Sequence, residues 1–128
     1  MTPGATVMIP KSTAHQAITC MGALAAAYRQ QPPGFGHAQA VGELTEDSRM
    51  VAGTLSASGD TTVRIPAAIL ARIADQLTRG AQAEMGSEAL QAALWRTSGR
   101  LQRWIADSAA QAKAAEKAPA RTGGAARR

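Results

Sequence analysis

Arg96, Arg100 and Arg103 stand at i, i+4 and i+7, a spacing that puts three guanidinium groups in one stripe along a helix. Each guanidinium can donate two parallel hydrogen bonds to a phosphate, so the stripe suits a polyanion; its plainer reading is a solvated helix face. No comparable set points to catalysis. His15, His37 and Cys20 are the only imidazoles and thiol in the chain, too few for a closed zinc site of four ligands. His15 and Cys20 fall on different sides of a predicted helix, which argues against a Cys–His nucleophile pair and leaves Cys20 as a small buried hydrophobe. Glu43, Glu46 and Asp47 lack further oxygen ligands at loop spacing and read as a solvated turn rather than a divalent-cation site. Walker-type glycine loop, G-x-S-x-G elbow and H-E-x-x-H are all missing from the sequence. The expectation is a protein with no catalytic residue, no metal and no cofactor.

The charge is unevenly placed. Of the net +5, residues 1–60 carry −1, and the stretch from Leu94 onward holds Arg96, Arg100, Arg103, Lys113, Lys117, Arg121, Arg127 and Arg128 against Asp107 and Glu116. Such a basic C-terminal third favours a nucleic-acid partner, DNA in preference to RNA, because each cation placed on a phosphate releases condensed counterions. Arg121, Arg127 and Arg128 join the helical stripe as candidate phosphate contacts. The competing expectation is a structural or interaction subunit that docks a protein partner through Trp95 and the Leu90/Leu94/Leu101 seam.

The elements that position these residues must form from little bulk. The chain has 128 residues and 30 Ala, but Leu, Ile, Val and Phe together make up 15% of it. A core of methyl groups needs closely packed helices or a second subunit, so a homodimer is expected. One cysteine permits no intrachain disulfide and fits a reducing compartment; no apolar run is long enough for a membrane span, and a cytoplasmic protein is expected. Ala, Gly, Arg and Pro are abundant and Arg outnumbers Lys 11 to 3, the codon signature of a GC-rich bacterium.

The patterning predicts an α+β fold: an irregular arm over 1–10, a single domain over 11–118 and a disordered basic tail over 119–128. Within the domain come an N-terminal helix capped by Ser12 or Thr13 and stopped at Pro32-Pro33, a β-hairpin or short meander, and two C-terminal helices. Residues 38–48 read as a short helix or a strand, with Thr45–Ser48 as a turn in the second case, and Phe35 as a core anchor. The hairpin spans Arg49 to Ile65 with its loop at Ser58-Gly59-Asp60. That register puts Val51, Leu55, Ala57, Val63 and Ile65 on one face and Thr54, Ser56, Thr62 and Arg64 on the other. Pro66 opens the next helix, Gly80 stops it, and Ser87 caps the last one. In that last helix Leu90, Leu94, Thr97, Leu101 and Trp104 form a heptad-like seam, with Trp104 in the core and Trp95 off the seam. The expected core is Ile18, Met21, Leu55, Val63, Ile65, Ile69, Ile73, Leu77, Leu90, Leu94 and Leu101, and no internal repeat is read.

Thr61-Thr-Val-Arg-Ile-Pro66, followed by Ala67 to Gly80 and by Met85-Gly86-Ser87-Glu88, resembles the ribbon-helix-helix DNA-binding family over residues 61–105. The resemblance implies a strand paired with its own copy in a dimer, its outward Thr62 and Arg64 in the major groove, and Gly86 and Ser87 at a phosphate. It would make the chain an accessory or regulatory protein. Against the family pattern, the strand here has an expected intrachain partner in Arg49 to Ala57.

Overall fold

Two strands of nearly the same sequence face each other. In the computed structural model, which describes residues 5–31, 37–57, 59 and 61–126, β1 is Thr6–Pro10 (TVMIP) and β2 is Thr62–Pro66 (TVRIP). They pair antiparallel with Thr6 opposite Pro66, Met8 opposite Arg64 and Pro10 opposite Thr62. A two-fold axis through the Met8–Arg64 pair therefore superimposes one strand on the other. The period of two buries Val7, Ile9, Val63 and Ile65 on one side and turns Met8 and Arg64 outward on the other. Each strand ends in a proline that leads straight into a helix, with no side-chain cap. The first helical N–H groups find partners across the ribbon instead: Lys11 donates to the Thr61 carbonyl at 2.8 Å and Ala67 to the Ala5 carbonyl at 2.9 Å. These two bonds are related by the same axis.

Each strand is followed by a helix pair, α1 (Lys11–Gln30) and α2 (His37–Ala57) after β1, α3 (Ala67–Gln82) and α4 (Glu88–Ala126) after β2. The chain is thus a strand-helix-helix unit used twice. α1 packs on α2 and α3 on α4, while α1 also meets α4 and α2 meets α3, so the halves interlock. Leu44 and Val51 of α2 and Leu94 and Leu101 of α4, each pair seven residues apart, join one core with Ile9, Met21, Leu24, Leu70, Ile73 and Leu77. Each such aliphatic side chain contributes about 1.5–3 kcal/mol on burial. Ala14, Ala17, Ala25 and Ala27 let α1 approach closely, and Gly80 belongs to the same contact, since a Cβ there would lie 2.5 Å from Leu24 Cδ1. No helix among the described residues is long and apolar enough to cross a membrane.

Several expectations are corrected. The arm over 1–10 contains β1, and the chain does carry a repeat, T-V-x-I-P, at Thr6–Pro10 and Thr62–Pro66. No hairpin joins Arg49–Ala57 to β2: residues 49–57 continue α2, as do Thr45–Ser48. Val51 and Leu55 are four apart, a separation that keeps two side chains on one face in a strand and in a helix alike, so their pattern does not distinguish the two. Gly80 does not stop α3, which runs to Gln82, and α1 begins at Lys11 without Ser12 or Thr13 capping it. α4 runs from Glu88 to Ala126 along its backbone. Met21, Leu55, Val63, Ile65, Ile73, Leu77, Leu94 and Leu101 are buried as expected, whereas Ile18, Ile69 and Leu90 are half-buried against that core. Trp104 is exposed rather than core, because α4 turns Leu101 and Ile105 toward the core at this level, and Trp95 is exposed too. Phe35 lies outside the described residues.

Candidate nucleic-acid interface

The outward face of the ribbon is the first part of the site. β-branched Val and Ile hold its inner face to the core, which leaves Thr6, Met8, Thr62 and Arg64 raised on a two-stranded platform. Arg64 is exposed and its Nη1 donates to Thr6 Oγ1 at 3.5 Å, so the guanidinium leans along the ribbon toward the Thr6 end. Met8, directly opposite, is 46% exposed, which is unusual for a large apolar side chain with a core beneath it. Paired strands lie about 4.8 Å apart, narrow enough for the roughly 12 Å major groove of B-DNA. Thr62 and Arg64 stand on the outward side that alternation predicts, with Thr6 and Met8 as additional members. Their signal in the sequence is the second copy of T-V-x-I-P.

Gly86 and Ser87 sit at the start of α4. Gly86 has φ +73°, and a Cβ there would also meet Leu90 Cδ2 at 2.5 Å. Ser87 Oγ accepts the Leu90 N–H at 3.1 Å, and Gln91 Nε2 donates to the Gly86 carbonyl at 3.2 Å. Ser87 is therefore the cap expected of it, and Glu88 places a carboxylate in the same first turn. Gly86→Ala is expected to destabilise the fold by about 1–2 kcal/mol, since a left-handed backbone disfavours a Cβ, and to lower the melting temperature measured by circular dichroism.

The arginines of α4 divide. Arg96 and Arg100 line an open groove of about 270 Å³ between α1 and α4, together with His15, Gln16, Thr19 and Cys20. Arg100 Nη1 donates to Gln16 Oε1 at 2.5 Å, which ties α4 to the first turns of α1. His15 and Cys20 both border this groove, His15 exposed and Cys20 buried with its Sγ 3.3 Å from Thr97 Oγ1. Arg103 is exposed farther along α4. Among the described residues Asp47 pairs with Arg72 and Asp75 with Arg79, and no carboxylate pairs with Arg96, Arg100 or Arg103. Arg121 lies on the α4 backbone beyond the described side chains, and Arg127 and Arg128 lie outside the described residues.

Asp47 is not part of a solvated turn. It is 1% exposed on α2, and both its oxygens accept from Arg72 of α3, Nε to Oδ2 at 2.9 Å and Nη2 to Oδ1. The Asp47 hydrogen bond raises the Arg72 pKa above its ordinary value. Glu43, one turn earlier, accepts from Gln76 and from Gln39 Nε2, the latter at 3.2 Å. This network fastens α2 to α3. It engages Glu43 and Asp47 while Glu46 is exposed, and no group of three or more potential metal ligands occurs among the described residues. No family model, curated protein or solved structure matches the chain.

Proposed function

We propose that this chain is a non-enzymatic DNA-binding protein, accessory or regulatory in role, that carries two ribbon-helix-helix-like units in one polypeptide. The observation behind this reading is the two-fold ribbon, T-V-M-I-P paired with T-V-R-I-P about the Met8–Arg64 pair, with a helix pair after each strand. The family resemblance calls for a strand paired with its copy; here the copy lies in the same chain. The homodimer that the thin core suggests is then not needed to build the ribbon. Thr6, Met8, Thr62 and Arg64 enter a major groove, and Arg96, Arg100, Arg103 and the basic end of the chain supply phosphate contacts. DNA is favoured over RNA because the major groove of A-form RNA is deep and narrow. A cytoplasmic protein of a GC-rich bacterium fits this role.

The test is fluorescence anisotropy with labelled duplexes at low salt. Arg64→Glu is expected to weaken duplex DNA binding at least about tenfold, because it replaces a phosphate- or base-directed donor with a carboxylate on an exposed position, while the circular dichroism spectrum stays unchanged. An equal loss for Arg64→Glu on double-stranded RNA and on DNA would remove the groove reading.

Exposed Trp95, at 50%, and Trp104, at 36%, favour a second reading in which α4 docks a protein partner. Leu94 and Leu101 take no part in it, since both are fully buried within the chain. An absence of DNA binding by the wild type at low salt, where electrostatic attraction is strongest, would select this reading.

A further inference from the structure

We infer that the ribbon reads a DNA site whose two halves differ, and that the central Met8–Arg64 pair sets the difference; this rests on the DNA-binding reading above. A ribbon made by two copies of one chain presents identical outward residues on both sides of its axis and so matches an inverted repeat. Here the axis relates unlike residues at one place. Thr6 corresponds to Thr62 and Pro10 to Pro66, and both of these outward positions are conserved between the strands; the third, at the centre, holds methionine in β1 and arginine in β2. The hydrogen bond from Arg64 Nη1 to Thr6 Oγ1 places the guanidinium over the half of the ribbon that ends in Thr6 and Pro66. A side chain leaning the same way from Met8 would, by the same axis, fall over the other half, with Thr62 and Pro10.

The two side chains prefer different base edges. A guanidinium donates two hydrogen bonds to O6 and N7 of guanine, the commonest specific contact in the major groove. Methionine offers no donor; its soft, apolar side chain packs against the C5 methyl of thymine. One half-site therefore centres on guanine and the other on thymine. A single chain can hold this asymmetry because the two strands mutate independently, whereas in a homodimer every change appears twice. The inner face shows the contrast: Val7, Ile9, Val63 and Ile65 keep the repeat, since all four fill one core.

Selection of bound duplexes from a randomised library, followed by sequencing, tests this with the full chain, Met8→Arg and Arg64→Met. Both positions are exposed, so the variants keep the fold, checked by circular dichroism. The wild type is expected to enrich a motif with unlike halves, carrying guanine in one of them with a preference on the order of ten- to a hundredfold. Met8→Arg is expected to place the same guanine preference in the second half and produce an inverted repeat, and Arg64→Met to lose it from the first. A wild-type motif that is already an inverted repeat would overturn the inference and leave DNA binding standing, as would an asymmetric motif unchanged by both substitutions. No enrichment by any of the three proteins would overturn the DNA-binding reading, and this inference with it.

Discussion

Arg72→Met is expected to lower the unfolding free energy by about 3 kcal/mol, near the lower end of the range for removing one partner of a buried ion pair. The reason is that Asp47 stays behind. Its carboxylate is 1% exposed, between the Leu44 and Val51 turns of α2, and loses both donors at once. The lower end applies because the Arg72 side chain is 45% exposed, so its own charge is partly solvated before and after, and water gains some access when it is shortened. Arg72→Met combined with Asp47→Leu is expected to recover most of the loss, since an apolar pair of similar volume often replaces a buried ion pair at no net cost. Urea unfolding measures both, read as a shift of the midpoint at constant slope. A loss below about 0.5 kcal/mol for Arg72→Met would mean that the pair behaves as a surface salt bridge and does not fasten α2 to α3.

Arg96, Arg100 and Arg103 replaced together by Gln are expected to weaken duplex DNA binding on the order of a hundredfold near 0.1 M salt and to lower the log–log salt slope by about 2–3. Each phosphate contact contributes about 0.9 to that slope on B-DNA, and no carboxylate among the described residues competes for these three guanidinium groups. Helix propensity is nearly unchanged by Arg→Gln, and the three positions are exposed, so the fold should survive. Gln16 loses its bond from Arg100, a neutral partner at an exposed site, with little effect on stability. Loss of affinity with an unchanged slope would show that these residues act on the shape of the α1–α4 groove and not on phosphates. An unchanged affinity would confine the footprint to the ribbon.

What was legible in the sequence is local. Alternation alone turns Thr62 and Arg64 outward and Val63 and Ile65 inward, because side chains in a strand change face at every residue. Three- and four-residue spacing finds α1 and the buried Ile73 and Leu77 of α3, and the Ser87 cap follows from its oxygen and position. What the sequence left open is which segments meet. β2 takes its partner from Thr6–Pro10 and not from the nearer Arg49–Ala57, a choice made by long-range pairing that buries Val7 and Ile9 with Val63 and Ile65, whereas Val51 and Leu55 fit either period. Asp47 reads as a surface turn until α3 brings Arg72 beside it, and His15 and Arg96 come to line one groove only once α4 packs on α1. The arginine stripe was visible as a helical spacing, but only the interlocking of the two halves set Arg96 and Arg100 in a groove and left Trp104 outside the core. Local chemistry is written in residues a few positions apart; the ribbon, its axis and its unlike centre exist only once distant segments share one core.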